Sequence, residues 1–306
     1  MIRLGLIGLA RENNGHPFSY SSIINGVNLE KFPKDDWGVI YDYLKTKHFS
    51  DMGINTAKVT HVWTQSKEIS NILSETCYID NIVNDYCDMI NKVDAIIIAR
   101  DDENNHLQMA KPFLESGLKV FIDKPLTLDI EELEYFSSFL LAGQLMSCSG
   151  MRYCSELDPL RVDNNIGKIN LITGTVINDW EHYGIHLLEA VIGAISFKPI
   201  SVWSHFNPTM TMIISTNLDF KIIINTLDNS SFTFDINIFG SINNFNVTTR
   251  DNFTAFKRTL NSFVRLVNDN IMPYDPKQTI DLMKILIAGK ISVKEDREVF
   301  MSELHI

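Results

Sequence analysis

The sequence predicts an α/β protein in two parts. A doubly wound parallel sheet covers residues 1–150, and an α+β domain with an open, mostly antiparallel sheet covers 151–306. Three observations carry this. Up to residue 150, short apolar runs alternate with segments of helical period, as strands and helices do around a parallel sheet. Beyond it, period-two runs such as Phe-Thr-Phe-Asp-Ile-Asn-Ile at 232–238 follow one another across Asn, Asp, Gly and Ser turns, the pattern of antiparallel neighbours. A chain of 306 residues is also long enough for two cores.

In order, the apolar runs at 2–9, 57–63, 95–99 and 118–122 are expected as strands, with one more at 145–149. Helices are expected after Pro17 and over 66–74, 106–116 and 130–141. Residues 28–55 exceed a usual connection and read as an insertion with a helix around 37–47. In the second part, strands are expected at 169–176, 201–206, 209–215, 220–227, 231–239 and 243–249. Helices over 183–192 and 252–268 interrupt them, and a helix over 277–287 closes the chain.

Composition narrows the chemistry. The 45% hydrophobic and 21% charged fractions are those of a soluble globular protein. A net charge of −11 argues against nucleic acid or an anionic membrane as partners, since both need a basic face. It leaves open an anionic small molecule, which needs only a local positive site. The start runs directly into a strand with no signal-like leader, and no apolar run reaches the roughly 20 residues of a membrane span. Cys77, Cys87, Cys148 and Cys154 lack C-x-x-C spacing and read as reduced thiols, so a cytoplasmic protein is expected.

The strand at 118–122 stops at Asp123-Lys124-Pro125. Ligands of open parallel sheets bind at the carboxyl ends of strands, so Lys124 is placed for chemistry. The first turn reads Gly8-Leu-Ala10-Arg11-Glu-Asn-Asn-Gly15. Gly8 suits the tight turn of a dinucleotide fingerprint, Ala10 stands at the second glycine position, and Gly15 fits the third only with about two inserted residues. A Gly/Asn-rich surface turn is the plain alternative. The strand at 57–63 ends without the carboxylate that normally holds the ribose of NAD. Thr64, Ser66 and Lys67, with Arg11, can instead meet a 2′-phosphate, which tilts the expectation toward NADP; a solvated helix start at Ser66 is the alternative. Asp101, Asp102 and His106 follow the third strand and are expected near the cofactor, although His106 also suits a helix start.

The second cluster is Asp179-Trp-Glu-His182-Tyr183-Gly-Ile-His186-Leu-Leu-Glu189. Helical spacing brings His182, His186 and Glu189 near one face. Zinc ligation by the three is one reading. A histidine base working on a hydroxyl proton is another, and a structural histidine is the third.

The run Val-Asp-Ala-Ile-Ile-Ile-Ala at 93–99, His106, and Phe-Leu-Glu-Ser-Gly-Leu-Lys-Val-Phe-Ile-Asp-Lys-Pro-Leu at 113–126 together resemble the glucose-fructose oxidoreductase / inositol dehydrogenase / MocA (Gfo/Idh/MocA) family. Residues 150–169 resemble the family's passage into its second domain, and Gly184-Ile-His186-Leu-Leu-Glu189 resembles its G-x-H-x-x-D helix. The resemblance implies a Rossmann domain, then a domain that binds substrate and mediates oligomers through its sheet, so a homo-oligomer is expected. It implies hydride transfer between NAD or NADP and a carbon of a sugar, polyol or nucleotide-activated sugar. Lys124 and His186 take the catalytic roles, and His182, Tyr183 and Arg152 are candidate substrate contacts. No metal is implied. There are departures. Asp123 replaces the family's Glu before the lysine, and His182 stands where an aspartate is frequent. The latter departure leaves room for a non-catalytic NAD(P)-binding regulator on the same scaffold.

Overall fold

The mostly apolar strand β1 (Ile2–Leu9) lies at the centre of the first sheet, buried on both faces from Leu4 onward. The computed structural model describes residues 1–11, 14–162, 165–206 and 208–305, so residues 12 and 13 of the glycine turn lie outside the described residues. After β1 come α1 (His16–Asn25), α2 (Gly38–Leu44), β2 (Ala57–Thr64), α3 (Lys67–Thr76), β3 (Asn81–Ile82), β4 (Ala95–Arg100), α4 (His106–Glu115), β5 (Lys119–Ile122), α5 (Ile130–Leu141) and β6 (Leu145–Ser147). All six strands are parallel, in the order β3-β2-β1-β4-β5-β6. The chain order reverses between β1 and β4, whose registers place Gly8 beside Ala99 and Leu9 beside Arg100. A crevice for a ligand opens at such a switch point, outside the carboxyl ends of the strands. The insertion carries its helix at 38–44, with Trp37 as the preceding cap and buried against Phe18.

The second part contains α6 (Asp158–Val162), β7 (Ile169–Val176), α7 (Ile185–Ala194), β8 (Pro199–Phe206), β9 (Met210–Thr216), β10 (Lys221–Thr226), β11 (Phe234–Gly240), β12 (Asn244–Thr248), α8 (Asn252–Asp269), α9 (Lys277–Glu295) and β13 (Val299–Phe300). Its sheet runs β12-β11-β7-β10-β9-β8-β13 and is antiparallel except between β7 and β10. Alternation puts Ile172, Val176, Met212, Ile214, Ile222, Ile224, Ile236 and Ile238 into the core. The opposite face carries Thr173, Ile213, Ile223 and Asn237 in one cross-strand row, with Trp203 48% exposed at its end. Helix α7 reaches the core face because Gly174 has no side chain; a Cβ there would meet Leu187 Cδ1 at 2.8 Å.

The chain forms two units. One comprises 1–126, 136–147 and 256–276, and the other 127–135, 148–255 and 277–306. Two expectations are corrected. The last helix runs on to Glu295 rather than stopping near 287, and the chain then pairs β13 with β8. The buried face of this extension is made by Ala288, Gly289 and Ser292, small residues that leave little apolar period to see. The segment 183–192 is not one α-helix. Trp180–Gly184 is a π-helical turn and α7 begins at Ile185. Among the described residues, no helix is long and apolar enough to cross a membrane.

Candidate functional site

The turn after β1 is tighter than its residues suggest. Leu9 and Ala10 both take positive φ, at 75° and 111°, although neither is glycine. Gly8, expected to serve the tight turn, instead permits the close approach of the helix: a Cβ there would press to 2.7 Å from Pro17 Cγ in the first turn of α1. Gly15 does not act as the third fingerprint glycine. It is the N-cap of α1, and its missing side chain leaves a notch filled by Ile40 of α2, whose Cδ1 lies 1.9 Å from where a Cβ would be. The residue that holds the turn is Asn14, which the sequence reading did not single out. Its Nδ2 donates to Leu9 O (3.2 Å) and Ala99 O (3.3 Å), and its Oδ1 accepts from His16 N (3.1 Å). Ala10→Gly is expected to stabilise the protein by roughly 0.5–1 kcal/mol in thermal melts, because a left-handed non-glycine costs about 1–2 kcal/mol and glycine's greater unfolded entropy returns part of that. An unchanged or lower midpoint would show that Ala10 carries no strain.

A buried arginine organises the adjacent strand ends. Arg100 Nε and Nη2 pair with the two carboxylate oxygens of Asp102 (2.7 and 2.6 Å), and Nη1 donates to Gly8 O (3.2 Å) and Gln65 Oε1 (2.8 Å). Gln65 Nε2 in turn donates to Ala10 O (2.7 Å), and Asp101 Oδ1 accepts from Arg11 N (3.2 Å). The proposed 2′-phosphate ligands at the end of β2 are largely engaged within the protein. Thr64 Oγ1 donates to Ser66 O (2.5 Å) and contacts Ser70 Oγ (2.9 Å), while Ser66 Oγ accepts from Ile69 N (3.4 Å) as the N-cap of α3. Arg11 and Lys67 remain exposed.

At the end of β5 the carboxylate of Asp123 is 1% exposed. Its Oδ1 accepts from Lys124 N (2.8 Å) and Tyr20 OH (3.3 Å), and its Oδ2 is bound by His16 Nδ1. Burial alone raises the Asp123 carboxyl, but His16 and Lys124 outweigh burial and hold it below the usual carboxylate range. Lys124 itself is 9% exposed. His106, expected near the cofactor, is fully buried. Its Nδ1 faces Leu126 O (2.9 Å) and its Nε2 faces Arg100 O (3.3 Å), so it ties the turn after Lys124 to the end of β4.

The second unit builds its own cluster around the π turn. Asp179 Oδ1 accepts from His182 N (2.7 Å) and lies 3.0 Å from His182 Nδ1. An orienting carboxylate is therefore present, three residues before His182. His186 Nδ1 is 2.6 Å from Ser149 Oγ, which also accepts from Met151 N (3.1 Å). Tyr183 and Phe234 enclose the His186 ring, with centroids at 5.7 and 5.8 Å. Ser149 is a second residue the sequence reading missed, recognisable only as a hydroxyl just beyond a strand end. Glu189 is taken by Arg152 Nε at 2.6 Å, both fully or nearly buried, and Arg152 Nη1 donates to Gln278 Oε1 (2.6 Å). Arg152 is thus a buried structural tie rather than an open substrate contact. The π turn also takes His182 and His186 off the regular α spacing on which a shared ligand face was expected. Among the described residues, no group of three His, Cys, Asp or Glu side chains is arranged to hold a metal ion. A separate cavity of about 520 Å³ is lined by Trp180, Met210, Met212 and Ile287, with Asp179, Glu181 and Lys290 among its polar groups; His182, Tyr183 and His186 do not line it.

The family model GFO_IDH_MocA, described as an oxidoreductase family with an NAD-binding Rossmann fold, matches residues 41–139. No curated protein matches the sequence. Among solved structures, the fold is similar to apo scyllo-inositol dehydrogenase from Lactobacillus casei (16% identity, TM-score 0.77, covering 99% of this chain and 98% of that one). It is also similar to the same enzyme with bound NAD(H) and scyllo-inositol (16% identity, TM-score 0.76, 99% of each chain). A third likeness is myo-inositol 2-dehydrogenase from Lactobacillus plantarum (18% identity, TM-score 0.75, 98% of this chain and 99% of that one).

Proposed function

We propose that the chain is a member of the Gfo/Idh/MocA oxidoreductase family, whose model matches residues 41–139, and a nicotinamide-dependent dehydrogenase or reductase acting on a sugar or polyol hydroxyl. The observation that carries this is Lys124 at the carboxyl end of β5, anchored through its own backbone to the buried Asp123. Likeness to inositol dehydrogenases supports a cyclic polyol as the substrate class.

The turn fits a dinucleotide: Gly8 permits the close helix approach, and Leu9 and Ala10 adopt the backbone that glycines give in the usual fingerprint. Gly8, Ala10, Arg11 and the N-terminus of α1 would hold its phosphates. Nicotinamide, when bound, supplies the two-electron acceptor or donor. Lys124 donates a hydrogen bond to the reacting oxygen and stabilises alkoxide charge as it develops. His186, with Nδ1 held by Ser149, takes the hydroxyl proton in oxidation and returns it in reduction. Tyr183 and His182 contribute substrate contacts, His182 being oriented by Asp179.

For the adenosine end we assign NADP(H) a modest preference over NAD(H). No carboxylate terminates β2, and the cations Lys67 and Arg11 are exposed. The test is a fluorescence titration with each dinucleotide, then an absorbance screen of inositols and sugars at the reduced-nicotinamide band. Turnover is expected on at least one polyol, with kcat/KM for NADP over NAD falling about fivefold in Lys67→Met. An unchanged ratio removes Lys67 from cofactor choice. Dinucleotide binding with no turnover on any polyol would instead support a regulator. We also assign the open sheet face bearing Trp203, Ile213 and Ile223 to self-association. Sedimentation velocity showing only a 34.9 kDa species would remove that assignment.

A further inference from the structure

His16 and Asp123 are 107 residues apart, yet they meet inside the first unit. His16 opens α1, the helix that follows the glycine turn, and Asp123 immediately precedes Lys124. Asp123 is an acceptor only, because its carboxyl is held below the usual range and so stays ionised. The proton of the bond must then lie on His16 Nδ1. The ring has little freedom to leave. It stacks on Tyr20 (centroids 5.3 Å, 26°) and meets Phe256 edge-on (5.3 Å, 68°), while Tyr20 OH reaches the other oxygen of the same carboxylate. The backbone N–H of His16 is held in turn by Asn14, the residue that holds the glycine turn.

We infer that His16 is a positioning residue for the reaction assigned above: its Nδ1–H, held on Asp123, fixes the turn that bears Lys124 relative to the turn that receives the dinucleotide. The inference rests on that functional reading for its kinetic consequences, but not for its structural one. Asp123 has two kinds of partner, one from each turn. Its Oδ2 is bound by His16, and its Oδ1 accepts the Lys124 amide. If His16 is lost, the carboxylate keeps the amide and the long 3.3 Å bond from Tyr20 OH, one turn further into α1, but loses its close bond to the first residue of that helix, and the lysine turn gains freedom. Misplacing a catalytic group by about 1 Å can cost on the order of a hundredfold in rate.

Asparagine places an N–H close to the position of Nδ1, whereas glutamine places one nearer Nε2. The full-length protein is therefore compared as wild type, His16→Asn, His16→Gln and His16→Ala. Three quantities are read: kcat and KM on the polyol found in the screen, dinucleotide affinity by fluorescence, and hydrogen exchange at the Lys124 amide. For His16→Ala and His16→Gln, kcat is expected to fall by about 10- to 100-fold, with dinucleotide affinity within about threefold of wild type. The Lys124 amide is expected to exchange at least about tenfold faster. His16→Asn is expected to stay within about threefold of wild type on all three measures. The amide exchange is read without turnover, so a failure of the sugar assignment leaves this test intact. If His16→Ala fails to fold, the Asn and Gln pair still decides the matter. Equal Lys124 exchange in all variants would overturn the inference, as would retention of activity by Gln but not Asn, which would assign the role to Nε2.

Discussion

Lys124→Met removes turnover. Methionine keeps the length and most of the volume of the lysine stem, so the packing around this 9%-exposed side chain is retained. What is lost is the ammonium that the proposed mechanism directs at the reacting oxygen. Losing a single preorganised donor to a developing oxyanion costs about 100- to 1,000-fold in kcat, and a group that also handles the proton costs more. Dinucleotide affinity is expected to change by less than about threefold, since the glycine turn and the Arg100–Asp102 pair that support it are untouched. Asp123 remains ionised through His16, so the variant keeps its fold. The decisive measurement is single-turnover reduction of the nicotinamide, paired with the binding titration. Undiminished kcat would take Lys124 out of the chemistry.

Arg152→Met has the largest effect on stability. Arg152 and Glu189 form an ion pair with both side chains out of water, and removal of the cation strands a carboxylate there. Breaking a buried pair from one side costs about 3–5 kcal/mol, which corresponds to a fall in Tm of about 10 °C for a domain of this size. The pH dependence has a definite sign. Burial raises the Glu189 carboxyl above its ordinary value even with Arg152 and the Ser149 backbone opposing it. A carboxyl that is raised in the folded state weakens the fold as pH climbs from the unfolded value through the folded one. Without Arg152 the carboxyl is raised further. The gap between wild type and variant is therefore expected to be widest near pH 8 and to narrow toward pH 5, where the neutral acid costs less to bury. Arg152→Met combined with Glu189→Leu should recover most of the loss, because an apolar pair of similar volume no longer strands a charge. Calorimetry across pH checks all three statements, and a pH-independent gap would mean that Glu189 is already neutral in the wild type.

Much of this architecture is legible in the residues, and the illegible part has specific causes. Parallel strands covered on both faces read as unbroken apolar runs, which is why β4 and β5 stand out. Helix α5 and strand β7 match their expected bounds because amphipathic period and turn residues agree at both ends. Local rules fail where a partner from far along the chain decides the outcome. The extension of α9 is held by Ser292, whose Oγ serves Ser204 N and Ser204 Oγ from β8, and no apolar spacing announces it. The π turn depends on Trp180 fitting against Gly184 and Gly289. Within the site, the lysine follows from its strand end and His186 from its helix. Ser149, Asn14 and the His16–Asp123 pair are visible only once the chain has closed. Thr64 and Ser66 illustrate the opposite error. Their hydroxyls suit a phosphate by type, but the start of α3 claims them first.

The notch at Gly15 sets a boundary for anyone redesigning the cofactor turn. Ile40 fills the space a side chain would need, and Tyr43 of the same inserted helix bonds Ser19 within α1, so the insertion and the turn form one packed piece. A standard glycine-rich turn transplanted from another dehydrogenase would arrive without the companion surface that this one was shaped against. Trimming residues 28–55 for a smaller enzyme would likewise uncover Phe18 and leave the start of α1 unsupported. Useful variants will therefore come from exchanging the turn and its insert together as a cassette.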